Sequence, residues 1–132
     1  TGAVVLTTPQ DIALIDAKKG LRMFEKVNVP LIGIIENMSV FICPCCGKVQ
    51  HIFGEGGAKR MGETYGVPLL GELPLSAEIC EAADSGNPTV AADPESQAAK
   101  MYRSIAMKIA GAVAKLGKDY SARMPTISVK ND

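Results

Sequence analysis

The cysteines offer the clearest chemistry in this sequence, because three of the four lie within the run Cys43-Pro44-Cys45-Cys46-Gly47. Cys43 and Cys46 have the C-x-x-C spacing at which two thiolates bind one tetrahedral metal ion. A disulfide framework separates its cysteines to close long loops, which this cluster does not do. No secretory signal peptide is visible, so the cluster favours metal ligands or redox thiols in a reducing, cytoplasmic setting.

Three chemistries are open for Cys43 and Cys46. The first is half of a structural zinc site, for which His51 and Cys80 are the other soft candidate ligands. The second is a thiol redox pair, which is weaker because no helical pattern follows the cysteines. The third is an iron–sulfur cluster shared between two chains, each giving two thiolates. Cys45 is interpreted as an incidental residue or a substitute ligand, and Cys80 is predicted to be a small buried hydrophobe.

Other kinds of site find little support. The run from Gly54 to Arg60 departs from the G-x-x-x-x-G-K-[ST] phosphate loop and predicts a glycine loop that enters a helix. A single histidine allows no assignable Ser/His/Asp arrangement, and Glu36 is expected to be an ordinary strand-end residue. The formal net charge is zero and the basic residues are dispersed, which argues against nucleic-acid or membrane-surface partners. No apolar run approaches the roughly 20 residues of a membrane span.

The elements that position these residues follow from length and periodicity. The 132 residues suit one domain, and 47% hydrophobic with 21% charged residues is typical of a soluble globular protein. Apolar runs at residues 2–7, 31–35 and 67–71 predict buried strands. Helices are predicted over residues 9–27, with Thr8 as the N-cap, over 55–65, over 77–84, with Ser76 as the N-cap, and over 94–116. This alternation predicts an α/β fold, the C-terminal part of a doubly wound parallel sheet with three visible strands flanked by helices.

The rest of the chain is predicted to be less regular. Residues 37–53 form an irregular loop that holds the cysteines, within a domain that covers residues 1–116. Residues 117–132 are predicted to be a flexible tail. The chain enters an apolar run at once and has no initiator methionine, which we interpret as a piece of a longer protein. The strand at residues 2–7 would then leave an exposed edge of the sheet.

Several short motifs occur in a specific order. They are Thr8-Pro9-Gln10-Asp11, Glu36-Asn37-Met38-Ser39, Cys43-Pro44-Cys45-Cys46-Gly47, Ile52-Phe53-Gly54 and Gly71-Glu72-Leu73-Pro74-Leu75. Over residues 1–116 this order resembles the C-terminal half of the Mrp/ApbC iron–sulfur cluster carriers. Those proteins belong to the MinD-like, nitrogenase-iron-protein-like P-loop ATPases.

The resemblance implies a [4Fe–4S] cluster that bridges a homodimer and is passed to apo iron–sulfur proteins. The paired cysteines of the family match Cys43 and Cys46. Asn37 and the loop around Pro74 would lie beside the base of a bound ATP. The family's Walker A lysine and magnesium-binding acidic residues should precede Thr1, so this chain alone is not expected to hydrolyse ATP and no catalytic residue is assigned. The alternative is a zinc-stabilised dimeric binding module without turnover.

Overall fold

The computed structural model describes residues 1–117, which form five strands and five helices. The strands are β1 (Ala3–Thr7), β2 (Leu31–Glu36), β3 (Phe41–Ile42), β4 (Val49–Gln50) and β5 (Leu69–Glu72). The helices are α1 (Asp11–Lys26), α2 (Gly57–Tyr65), α3 (Ala77–Asp84), α4 (Thr89–Ala92) and α5 (Gln97–Lys115). The predicted tail at 117–132 lies outside the described residues, apart from Gly117.

The main sheet has the order β1-β2-β5, and both strand pairs are parallel. The central strand, β2, has five buried residues out of six, as expected for a strand covered on both faces. In the described part of the chain, β1 lies at one edge, and its Leu6 side chain is 60% exposed. The three predicted strands and the parallel α/β architecture are therefore confirmed.

Two apolar clusters hold helices on opposite faces of this sheet. One joins α1 and α2 to the sheet and includes Leu21 and Ile34, both fully buried. The other joins α5 to the sheet through Ile105, which packs with Ile35 and Leu70. Helices on both faces leave the carboxyl ends of the strands open, and ligands of open α/β sheets bind at that edge.

Some predicted helix limits were wrong. The helix predicted to begin at Pro9, with Thr8 as its N-cap, begins instead at Asp11, because its first hydrogen bond runs from the Leu14 amide to the Gln10 carbonyl. The helix predicted from residue 94 begins at Gln97, because the Ser96 hydroxyl accepts a hydrogen bond from the Ala99 amide and caps it. The short helix α4 was not predicted.

The prediction that residues 37–53 are irregular was also wrong. Strands β3 and β4 pair antiparallel within this segment, with Phe41 opposite Gln50 and Ile42 opposite Val49. Cys43, Cys45 and Cys46 therefore lie in the turn of a short β-hairpin. Within residues 1–117, no helix combines the length and the apolar character that crossing a membrane requires.

Candidate functional site

The tip of the β3–β4 hairpin carries three of the cysteines. The Cys43 amide donates to the Lys48 carbonyl at 3.0 Å, and the Gly47 amide donates to the Cys43 carbonyl at 2.8 Å. Gly47 has a φ of +69°, a left-handed conformation that glycine adopts without steric cost. These contacts fold the intervening residues into a tight turn, in which Cys43 is half-buried and Cys45 and Cys46 are exposed.

The turn directs backbone amides at the Cys43 sulfur. The Cys46 amide is the stronger influence and the Cys45 amide the next, and their hydrogen bonds lower the pKa of the Cys43 thiol below its ordinary value. Partial desolvation of the sulfur acts in the opposite direction but does not cancel this effect. A lowered pKa favours the thiolate, which is the form that binds metals and attacks electrophiles.

The base of the hairpin is attached to the segment that follows β5. The Ser39 amide and hydroxyl both donate to the Leu73 carbonyl, at 3.0 and 3.2 Å. The Leu75 amide donates to the Val40 carbonyl at 2.8 Å, and Phe41 forms a β-bridge with Leu75. These bonds orient the hairpin relative to the main sheet while its tip extends into solvent.

His51 also belongs to the base of the hairpin. Its Nδ1 lies 3.1 Å from the Ser39 carbonyl oxygen, so this nitrogen acts as a donor, and its Nε2 lies 3.9 Å from the Glu55 carboxylate. Across residues 1–117, no group of three or more His, Cys, Asp or Glu side chains is arranged to hold a metal ion. The candidate set that combined His51 and Cys80 with the hairpin cysteines is therefore not assembled within one chain.

Cys80 lies on α3, and the prediction that it is buried was wrong. Its thiol is exposed and donates to the Asp84 carboxylate at 3.6 Å. The negative charge of Asp84 raises the pKa of the Cys80 thiol. The apolar residues near Cys80 in the sequence, Ile79, Ala82 and Ala83, predicted a buried helix face. In the structure, however, α3 has no buried residue.

Glu36 lies at the end of β2, as the sequence predicts, but it is buried and not an ordinary exposed residue. Its side chain is 1% exposed, and its Oε2 accepts a hydrogen bond of 2.7 Å from the Ala58 amide in the first turn of α2. Gly56 occupies the N-cap position of α2 and has no side chain to cap it. Glu36 therefore supplies the side-chain acceptor that Gly56 lacks.

The glycines at the start of α2 allow this helix to pack closely against the turn between β1 and α1. Gly54 and Gly56 have φ angles of +99° and +66°. A Cβ atom on Gly57 would lie 2.8 Å from the Pro9 carbonyl oxygen, so only glycine allows α2 to approach the β1–α1 turn this closely. The prediction of a glycine loop that enters a helix is confirmed.

Asn37 and Pro74 follow neighbouring strands at the carboxyl edge of the sheet. The Asn37 amide donates to the Thr7 carbonyl at 2.7 Å, and the Leu73 amide next to Pro74 donates to the Glu36 carbonyl at 2.8 Å. The two residues nevertheless line different cavities. Asn37 lines one of about 570 Å³ beside β1 and α1, and Pro74 lines one of about 420 Å³ beside the hairpin.

The opposite pKa shifts of two cysteines predict different rates of alkylation. With iodoacetamide near neutral pH, we expect Cys43 to react severalfold faster than Cys80, because a thiol of lower pKa has the larger thiolate fraction. If exposure of the thiol alone set the rate, Cys80 would react faster than Cys43. The pKa difference and the difference in exposure therefore predict opposite orders of reaction. Peptide mass spectrometry over a time course measures both rates, with Cys43→Ser as the assignment control. Faster labelling of Cys80 would contradict the described turn.

The chain is similar to known proteins over most of the residues that the structure describes. The model of a family described as "ParA: NUBPL iron-transfer P-loop NTPase" matches residues 1–110. The "Iron-sulfur cluster carrier protein" of Escherichia coli K12 is 57% identical over 110 residues, which are 83% of this chain and 30% of that protein. The "Iron-sulfur cluster transfer protein NUBPL" of Mus musculus is 50% identical over 109 residues, 83% of this chain and 34% of that protein. The chain thus spans about a third of the length of these curated relatives.

Solved structures show the same architecture. A nucleotide-binding protein from Archaeoglobus fulgidus in complex with ADP is 33% identical, with a TM-score of 0.56 over 65% of this chain and 35% of that chain. The septum site-determining protein MinD of Pyrococcus horikoshii, complexed with Mg-ADP, is 25% identical, with a TM-score of 0.64 over 87% of this chain and 44% of that chain. These neighbours identify the sheet and its helices as part of a MinD-like P-loop ATPase fold.

Proposed function

Because this chain belongs to the family of NUBPL-type iron-transfer P-loop NTPases, we propose that the protein binds an iron–sulfur cluster through Cys43 and Cys46 and transfers it to other proteins. The observation that carries the proposal is the hairpin tip, where thiols in C-x-x-C spacing lie at the surface on an anchored base. Exposure suits a cluster that must be handed on, and the anchored base limits the entropy lost when the thiolates bind.

The cluster is proposed to bridge two copies of the chain. A [4Fe–4S] cluster takes four cysteine thiolates. One hairpin offers Cys43 and Cys46, and within residues 1–117 no group of three or more His, Cys, Asp or Glu side chains is arranged to hold a metal ion. A second hairpin would supply the other two thiolates. It would be related to the first by twofold symmetry, which is the commonest symmetry of homo-oligomers. The homodimer would thus assemble around its cargo.

Transfer is proposed to proceed by ligand exchange. A thiolate of the recipient apoprotein attacks an iron of the cluster, and the bond from that iron to Cys43 or Cys46 breaks. The released thiolate takes up a proton, or remains ionised where its pKa is low. No electron is transferred in this step. The amide hydrogen bonds to the Cys43 sulfur make that thiolate a stable leaving ligand. Repeating the exchange moves the cluster to the recipient.

A nucleotide is proposed to bind at the carboxyl edge of the main sheet. Asn37 and the loop around Pro74 lie at that edge on two separate cavities, and the base of ATP would lie between them. The phosphates and Mg²⁺ would be held by a Walker A loop outside these 132 residues, since no G-x-x-x-x-G-K-[ST] run occurs within them.

We propose the cytoplasm as the compartment, because exposed thiols remain reduced there.

The test of this function is metal and sulfide analysis after anaerobic reconstitution of the full protein. We expect iron with acid-labile sulfide. Zinc alone would contradict the carrier function and support the binding module without turnover. That alternative is not favoured, because the matched relatives are named iron–sulfur cluster carrier and transfer proteins.

A further inference from the structure

An apolar groove of about 420 Å³ lies directly beside the cysteine hairpin. We call it the hairpin groove. Its walls include Phe41, Ile42 and Pro44 from the hairpin and Ile79, Ala82 and Ala98 from helices α3 and α5. Pro44 is the residue next to Cys43, so the groove extends to the position where we place the cluster. Its volume is within the range of sites that accept a few apolar groups.

The charges around this groove have one sign. Glu78 and Asp93 are the charged residues that line it, and both are exposed. Neither forms a salt bridge with any residue between 1 and 117, although the Asp93 carboxylate accepts a hydrogen bond from the Glu95 amide. Residues 61–99 contain seven acidic residues and no lysine or arginine, so the zero net charge of the chain conceals an acidic region.

Basic residues flank this region on three elements: Lys48 lies on the hairpin, Arg60 on α2, and Lys100 and Arg103 on α5. Lys100 lies 4.0 Å from the Glu95 carboxylate, and Arg103 donates to the Pro94 carbonyl. None of these basic residues lines the groove. The apolar walls and the acidic rim therefore remain available to a partner of opposite charge. Clefts lined by one sign of charge attract such partners and accelerate their association.

We propose that the hairpin groove docks a basic, amphipathic segment of the apoprotein that receives the cluster. An apolar side chain of the segment enters the groove, and its lysine or arginine side chains contact Glu78 and Asp93. Docking there brings the recipient's thiols to the hairpin tip. That the partner is a recipient apoprotein rests on the function proposed above. The apolar groove and its acidic rim are features of the structure and do not depend on that function.

A second copy of this chain is a poorer occupant. A twofold contact through the groove would set the two acidic rims against each other, and like charges across an interface are unfavourable. The hairpin tips remain free to meet through their thiols while each groove holds a recipient. The two interactions would thus occur together in one transfer complex.

The test uses two synthetic peptides with the same leucine spacing, one with lysine and one with glutamate at the polar positions. Fluorescence anisotropy measures their binding to the full protein. We expect only the lysine peptide to bind, and the Glu78→Lys/Asp93→Lys variant to weaken it by about tenfold. Ala82→Trp, which fills the groove without a change of charge, should weaken it as well. The control Asp16→Lys/Glu25→Lys has the same net charge at exposed sites on α1, outside the acidic region and the groove, and should bind normally.

The outcomes separate docking from cluster binding. Equal binding of both peptides, or equal loss in the control and groove variants, would overturn the docking proposal. Dissociation of a reconstituted dimer by Ala82→Trp, measured by sedimentation, would show instead that the groove joins two copies and would also overturn it. Iron content of the groove variants should equal that of the unsubstituted protein. Absence of iron from the unsubstituted protein with selective peptide binding intact would contradict the carrier function alone.

Discussion

Replacing Cys43 or Cys46 with serine is expected to abolish binding of the iron–sulfur cluster by the full protein. Each substitution removes one thiolate from each chain, which would leave the proposed bridging cluster with two of its four ligands. The hairpin backbone should persist, because its hydrogen bonds come from main-chain groups. Iron and sulfide content after anaerobic reconstitution, together with the visible absorption spectrum, should fall to background.

Two further cysteine variants serve as controls for this result. Cys80→Ser should keep the unsubstituted iron content, because Cys80 lies on α3 and contacts Asp84. Cys45→Ser tests the assignment at the tip itself, and the account expects it to keep its iron. Normal iron and sulfide in both the Cys43→Ser and Cys46→Ser proteins would contradict the proposed ligands. Loss in Cys45→Ser with retention in Cys46→Ser would move one ligand to Cys45.

Replacing Glu36 with alanine is expected to lower the free energy of unfolding by about 2–4 kcal/mol, because a buried donor loses its acceptor and a cavity remains. The donor is the Ala58 amide, 2.7 Å from the Glu36 carboxylate. The damage should be concentrated where α2 meets β2, at the carboxyl edge that carries the hairpin. Denaturant unfolding of the full protein, followed by circular dichroism, measures the change.

Matched variants separate the buried hydrogen bond from the loss of a surface charge. Glu36→Gln keeps an acceptor oxygen and should cost about 1 kcal/mol, since a neutral acceptor is weaker than a carboxylate. Glu63→Ala removes an exposed glutamate from α2 and should change stability by about 0.5 kcal/mol or less. If Glu36→Ala costs no more than Glu63→Ala, the carboxylate does not cap α2.

The main sheet was predictable because its strands lie in uninterrupted runs of apolar residues. The run Leu31-Ile32-Gly33-Ile34-Ile35 leaves no polar face, and only a strand covered on both sides suits such a run. The hairpin was missed because β3 and β4 have two residues each, too few for any periodicity. A signal was present: Phe41 and Ile42 precede the cysteine turn, Gly47 completes it, and Val49 follows, which is typical of a hairpin.

At the site, the spacing of Cys43 and Cys46 was readable from the sequence, and the groups that organise them were not. The cap of α2 comes from Glu36, which is 22 residues from its hydrogen-bond partner. The contact of His51 with the Ser39 carbonyl spans 12 residues. Such long-range contacts depend on how the strands are arranged, which no local pattern encodes. The exposure of Cys80 was missed for the same reason, since it depends on how far α3 lies from the core.

The bridging cluster is the central claim, and native mass spectrometry of the anaerobically reconstituted full protein tests it most directly. We expect a complex with the mass of two chains, four iron atoms and four sulfides, which separates into single chains when the cluster is removed by a chelator. The Cys43→Ser protein should remain single-chain under the same conditions. A cluster carried by one chain alone, or two chains joined by zinc without iron, would contradict the account.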